Sequence, residues 1–202
     1  MLKIYHAKNT RSVRIIWLCE ELGIPYDLKT LAFSPDTLQS PEYLAVHPLG
    51  KVPAIEDEGE VMNESGAISQ YLLEKHGNGR LEPKPGSAKR KRFLHWFHFA
   101  EATLMVPIGN IAQHTLIRPE DKRIPQVAAE AVESTKKMLA VVEANLEGLE
   151  YICGDEFTAA DIMLGYALML CSLFGLLTDE FPKVKAYYER ISSRPAFAKA
   201  TA

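Results

Sequence analysis

The chain has 202 residues, 47% of them hydrophobic and 24% charged, with 12 glycines and 12 prolines. This usage belongs to an ordered globular protein and excludes a disordered or fibrous one. The length can bury a sizeable core in one domain or two small ones, and a formal net charge of -3 offers no general attraction to nucleic acid or an anionic membrane.

Leu2 to Tyr5 is a short β-prone run, and from Ser12 to Leu22 the apolar positions Ile15, Leu18, Cys19 and Leu22 recur at helical spacing. Gly23 and Pro25 stop that helix, and a second β-like run from Tyr26 to Ala32 makes a parallel βαβ unit the expected outcome. FSPDTLQSPEYLAVHPLG is rich in turn residues, with one short helix expected around Pro41 to Ala45. VPAIEDEGEVM reads as two short strands joined by the acidic turn Glu56 to Glu60. A helical pattern then runs from Ser65 to KHGNG, where Gly77 and Gly79 end it.

At GNGRLEPKPGS the composition shifts to that of a semi-rigid linker, and everything beyond reads as helix, near Ser87–Asn110, Pro125–Leu146, Thr158–Phe174 and Pro182–Ser192. The expected organisation is a mixed α/β domain over residues 1–78, a linker over 79–87 and an all-helical domain over 88–202. In FTAADI, Thr158 and Asp161 form a capping box, with Phe157 placed to pack on Ile162, ahead of a helix apolar enough to be buried centrally. The basic run Ala88–Arg92 reads as a solvated helix start.

No stretch approaches the roughly 18 uninterrupted apolar residues of a membrane span, and MLKIYHAKNTRS lacks the apolar centre of a signal peptide, so a cytoplasmic protein is expected. Cys19, Cys153 and Cys171 lie far apart among apolar neighbours and read as buried structural thiols. The six histidines lack an H-x-x-x-H pair, His95 and His98 at i, i+3 read as flanking a helix face rather than holding a metal, and no metal is expected.

Three places could carry chemistry. Pro53 at the head of a strand, if its peptide bond is cis, turns the backbone of Val52 outward to pair with an extended peptide; a trans proline on an edge strand is the alternative. Glu64–Ser65 opens a helix, so the amides there suit a carboxylate and Glu64 an ammonium, unless Asn63 or Ser65 merely caps the helix. Asn9, Thr10 and Ser12 are cap-type residues at the start of the first helix, where a hydroxyl and helix amides could also stabilise a bound thiolate.

Taken together, HPLGKVPAI, NESGAI, EFTAADIMLGYAL and the opening YHAKNTRSVRIIWLCEELGIPY resemble the soluble glutathione transferases, bacterial and fungal members in particular, and the resemblance spans the whole chain. It implies a thioredoxin-like N-terminal domain with a mixed four-stranded sheet, followed by an all-helical domain, with Pro53 cis. It implies glutathione as co-substrate, with no permanently bound cofactor, and a hydrophobic electrophile as second substrate in a detoxifying transfer. Val52 would pair with the cysteinyl backbone, Glu64 and Ser65 would hold the γ-glutamyl end, and Lys51 would approach from the side. Glu101 would reach a neighbouring subunit's glutathione, which makes the expected assembly a homodimer.

The resemblance departs from the family pattern at the thiol partner. The position four residues before Arg14, a serine in many members, is Thr10, whose methyl stiffens χ1 and restricts its aim. Tyr5 is the alternative by analogy with tyrosine members, with Asn9, Arg11 and Ser12 also in range. Ala7, Trp96, Phe99, Thr103 and Phe174 would line the acceptor pocket, although Trp96 and Phe174 also read as plain helix core. Glutathione-dependent reduction of peroxides or disulfides, and a non-catalytic binding module on the same fold, are the alternative functions.

Overall fold

A computed structural model describes residues 1–202, which pack as two units, residues 1–82 with 193–202 and residues 83–192. In the first unit, β1 (Leu2–His6) leads through α1 (Ser12–Leu22) to β2 (Tyr26–Thr30), and the two strands pair in parallel from Leu2↔Tyr26 to His6↔Thr30. Such a parallel pair needs a crossover, which α1 supplies. β3 (Ala54–Asp57) and β4 (Glu60–Asn63) form the expected hairpin, and β3 runs antiparallel to β1 with Ile4 opposite Ile55. The sheet order is β2-β1-β3-β4, the mixed four-stranded sheet of a thioredoxin-like domain.

Alternation in LKIYH buries Leu2, Ile4 and His6 on one face of β1. Helix α1 buries Val13, Ile15, Ile16, Trp17, Leu18, Cys19 and Leu22, so it is covered on more than one side. At about 1.5–3 kcal/mol per enclosed aliphatic or aromatic side chain, this helix is the centre of the unit's core.

Two short helices, α2 (Pro35–Leu38) and α3 (Pro41–Leu44), stand where one was expected. Each has a serine cap, Ser34 or Ser40, and a proline in its first turn, so both helices carry the same start signal. Helix α4 (Ser65–Leu72) runs on as a π-helical turn over Leu73–Gly77, and the left-handed cap is Asn78 rather than a glycine.

The second unit is all helix and loop. The single helix expected over Ser87–Asn110 is instead α5 (Ala88–His98), a π-helical stretch Phe99–Leu104, and α6 (Met105–Ala112), with a further π-helical turn over Gln113–Ile117. Pro107 has no N–H to give the Thr103 carbonyl, so the regular ladder cannot pass through this point, and the turn before it widens. Helices α7 (Pro125–Asn145), α8 (Ala159–Leu173) and α9 (Pro182–Ser192) follow.

Every residue from Ala159 to Met169 is buried in α8, as its apolar run requires. Its capping box forms, with the Thr158 amide donating to Asp161 Oδ2 at 2.7 Å. Asp161 does more than cap: it also accepts the Ile152 amide at 2.9 Å and the Tyr187 hydroxyl at 2.8 Å, all inside the core.

The basic run is not simply solvated. Arg92 donates to the Ile152 and Asn145 carbonyls at 2.6 and 2.8 Å, Arg90 to the Pro83 carbonyl at 2.9 Å, and Lys89 pairs with Asp155 at 3.0 Å.

The last ten residues, expected with the helical domain, belong to the first unit. There α10 (Pro195–Ala200) sets Phe197 edge-on to Trp17 with ring centroids 4.8 Å apart, and Arg194 grips both Glu21 oxygens at 2.6 and 2.7 Å. A bidentate arginine on a carboxylate is a strong and directional tie.

Candidate functional site

The Val52–Pro53 peptide is cis. Pro53 lies just ahead of β3, and among the chain's backbone hydrogen bonds none uses the Val52 amide or carbonyl. The preceding residue is held from behind: the Tyr43 hydroxyl of α3 donates to the Lys51 carbonyl at 2.6 Å. Tyr43 and Val52 share a small apolar cluster with Ala7 and Leu38, and burial raises the phenol's pKa and keeps it a donor.

Loop 47–50 is fixed as tightly. His47 Nδ1 accepts the Leu49 amide at 3.2 Å, and the Gly50 amide donates to the His47 carbonyl at 2.7 Å. Gly50 sits at φ +58°, where a Cβ would fall 2.2 Å from the Leu38 carbonyl oxygen. Only glycine fits there.

At the second corner, α4 begins without a side-chain cap, so neither Asn63 nor Ser65 caps it. Glu64 precedes it in the unusual backbone conformation φ 71°, ψ 106°, a cost that recurs at binding sites. Ser65 is buried, and its hydroxyl oxygen accepts from Nη1 of Arg14 at 3.1 Å. That bond leaves the serine proton to donate elsewhere. A buried cation, open helix amides and a hydroxyl thus meet at one point, an arrangement suited to a carboxylate. Exposed Glu64 adds the negative charge an adjacent ammonium would need.

The third corner is the β1–α1 loop. Thr10 Oγ1 donates to the Ala7 carbonyl at 2.6 Å and lies 2.7 Å from Ser12 Oγ, which in turn lies 2.8 Å from His6 Nδ1. Arg11 occupies the cap position of α1 with no side-chain cap, and Thr10 and Ser12 bond to each other. Asn9 takes the left-handed conformation at φ 60° that turns the loop.

Tyr5 does not join this group. Its hydroxyl turns to Glu56 at 3.3 Å, and burial raises its pKa. Ala7 is fully enclosed, so the side chain proposed for the acceptor pocket has no exposed surface.

In the second unit Trp96 is 1% exposed and stands edge-on to Phe99, which makes it helix core rather than pocket wall. Phe99, Glu101 and Phe174 are half-buried, and Thr103 lines a cleft of about 420 Å³ between the segment 102–110 and α7. Glu101 and Thr103 both fall in the π-helical stretch, a feature frequent at functional positions. Burial pushes the thiols of Cys19, Cys153 and Cys171 up to about 12, so none is a nucleophile at neutral pH.

Sequence reasoning did not assign roles to Arg14, Tyr43, His6 or His47. Arg14 had a signal, since an arginine inside an apolar helical stripe must find an acceptor. For Tyr43 and His47 no signal existed, because their partners lie in a loop whose course spacing does not reveal, and the contact of His6 with Ser12 depends on how the β1–α1 loop folds back.

Family models described as the N-terminal and C-terminal domains of glutathione S-transferase match residues 7–83 and 104–195. Glutathione S-transferase 3 of Schizosaccharomyces pombe is 30% identical over 208 residues, covering 97% of this chain and 85% of the relative. The chain belongs to the glutathione S-transferase family.

Glutathione S-transferase 3 of Zea mays is likewise 30% identical, over 100% of this chain and 93% of its own. The glutathione transferase URE2P6 from Phanerochaete chrysosporium, in complex with oxidized glutathione, superposes with a TM-score of 0.86 at 27% identity, covering 98% of this chain and 94% of that one. A glutathione transferase family member from Pseudomonas fluorescens, with two glutathione bound, does so with a TM-score of 0.88 at 27% identity, over 99% and 92%. In this transferase family member the three corners therefore lie in the unit matched by the N-terminal domain model.

Proposed function

We propose that this chain is a glutathione transferase whose first unit holds the tripeptide and ionises its thiol for attack on a hydrophobic electrophile. The observation that carries this reading is the uncapped start of α4, with the Ser65 hydroxyl oriented by a fully buried Arg14. The γ-glutamyl carboxylate takes the Ser65 amide and hydroxyl, and Glu64 takes the ammonium. The cysteinyl amide and carbonyl pair with Val52 as one more short strand, with Lys51 alongside. That pairing brings the thiol toward the start of α1, where Thr10 donates to the thiolate and the helix amides add favourable potential.

The same reading makes the protein a cytoplasmic homodimer in which Glu101 serves the neighbouring subunit's glutathione. A non-catalytic binding module is the second reading, favoured by one observation: the Thr10 proton is engaged by the Ala7 carbonyl.

Calorimetry with millimolar glutathione, together with turnover of an aryl halide and of an organic hydroperoxide, tests both. Binding with aryl halide turnover supports the transferase. Absence of binding heat overturns both readings, binding without turnover favours the module, and turnover of the hydroperoxide alone makes the protein a glutathione-dependent peroxide reductase.

A further inference from the structure

We propose that His6 and Ser12 are positioning residues of the thiol site: His6 donates from Nδ1 to Ser12, Ser12 donates to Thr10, and the chain leaves the Thr10 proton available to a bound thiolate. The inference rests on the transferase reading above.

Proton counting gives the chain its direction. His6 Nδ1, Ser12 Oγ, Thr10 Oγ1 and the Ala7 carbonyl oxygen follow one another at 2.8, 2.7 and 2.6 Å. A carbonyl only accepts and each hydroxyl owns one proton. The last bond therefore uses the Thr10 proton, the middle bond must use that of Ser12, and the first must use a proton on Nδ1. Ser12 also lies 3.3 Å from the Ala7 carbonyl. Donation there would leave two hydroxyl oxygens 2.7 Å apart with no proton between them, so the nearer partner takes it.

The remaining lone pairs close the argument. Ser12 Oγ accepts from His6 and from the Ala7 amide at 3.4 Å, so it has no place left for the Thr10 proton. Only the neutral Ala7 carbonyl competes with a thiolate for that proton, and an anion is the stronger acceptor. A hydroxyl that already accepts a hydrogen bond is also the better donor. Burial, with Lys8 nearby, lowers the His6 pKa and keeps the imidazole neutral, so the proton released on ionisation goes to water and the chain serves only to hold the donor. The arrangement supplies the aim that the stiff threonine lacks.

The test titrates the thiol of bound glutathione by thiolate absorbance in the unaltered protein and in Thr10→Ala, Ser12→Ala, His6→Leu and His6→Asn. Affinity for S-methylglutathione, which has no ionisable thiol, is measured beside it. Ser12→Ala and His6→Leu should raise the thiol pKa by about one unit, roughly tenfold less thiolate below the pKa, with S-methylglutathione affinity within about twofold. His6→Asn, whose amide nitrogen replaces Nδ1, should recover most of that shift, and Ser12→Ala should add nothing once Thr10 is alanine.

An unchanged titration in Ser12→Ala and His6→Leu, or a full Ser12→Ala effect in the Thr10→Ala background, overturns the inference and leaves the transferase reading standing. Failure of the unaltered protein to bind glutathione or to lower its thiol pKa overturns both. If Ser12→Ala does not fold, the contrast between His6→Leu and His6→Asn decides, and equal titrations in the two overturn the inference.

Discussion

The buried Arg14 guanidinium donates to the Ser65 hydroxyl at 3.1 Å, joining the first turn of α1 to the first residue of α4. Two helix starts that are far apart in sequence are thereby held in one geometry. Hydrogen bonds to a charged group contribute about 1.5–3 kcal/mol. Arg14→Gln is expected to weaken glutathione binding about tenfold or more by calorimetry, because Ser65 loses its orientation and the carboxylate loses a nearby cation. Wild-type affinity in this variant would remove Arg14 from the site.

Gly50 is the strictest backbone position near Val52. Gly50→Ala places a Cβ 2.2 Å from the Leu38 carbonyl oxygen at φ +58°, so the loop must move. The expected loss is about 2 kcal/mol or more, read as a lower urea midpoint, with weaker glutathione binding in parallel. A midpoint equal to that of the unaltered protein would show that the loop yields freely.

Asp161 and Thr158 separate two contributions to α8. Thr158→Ala removes one cap, at about 1 kcal/mol. Asp161→Ala strips the acceptor from the buried Ile152 and Thr158 amides and the Tyr187 hydroxyl, and should cost about 3 kcal/mol or more. Equal losses by chemical denaturation would mean that Asp161 acts only as a cap.

Acid should loosen the first unit before its carboxylates titrate. His6 and His47 are both buried, and burial lowers both pKa values, against some opposing pull from Glu64 at His47. The unfolded chain therefore binds protons that the folded one refuses. Stability is complete above the ordinary histidine value of about 6.5 and falls as pH drops through the lower folded values. Urea midpoints at pH 7.5 and about pH 5 measure this, and His6→Asn combined with His47→Asn should flatten the difference. An undiminished fall in that double variant would assign the acid sensitivity elsewhere.

The βαβ unit, α1, the hairpin and α8 were legible in the sequence, because each rests on local signals: alternation in LKIYH, a 3.6-residue stripe in SVRIIWLCEEL, turn residues at Glu58–Gly59, and the reciprocal pair Thr158–Asp161; that the strands join in one mixed sheet followed only from the family resemblance. Pro107 stands inside the stretch expected as one helix, Ser87–Asn110, and its effect on the helix before it depends on how that helix recovers its hydrogen bonds. The return of Phe197 and Arg194 to Trp17 and Glu21 had no local signal at all.

For the site, the sequence by itself determined which residue types were present: a proline after Val52, a Glu–Ser pair at a helix start, and hydroxyls ahead of Arg14. Their local order follows from backbone preferences and capping, which act over a few residues. Only the tertiary structure decided where their protons go. It turned the Tyr5 hydroxyl to Glu56, placed Arg14 behind Ser65, and lined up His6, Ser12 and Thr10. Hydrogen-bond partners are chosen across loops and between elements, so their assignment belongs to the folded chain.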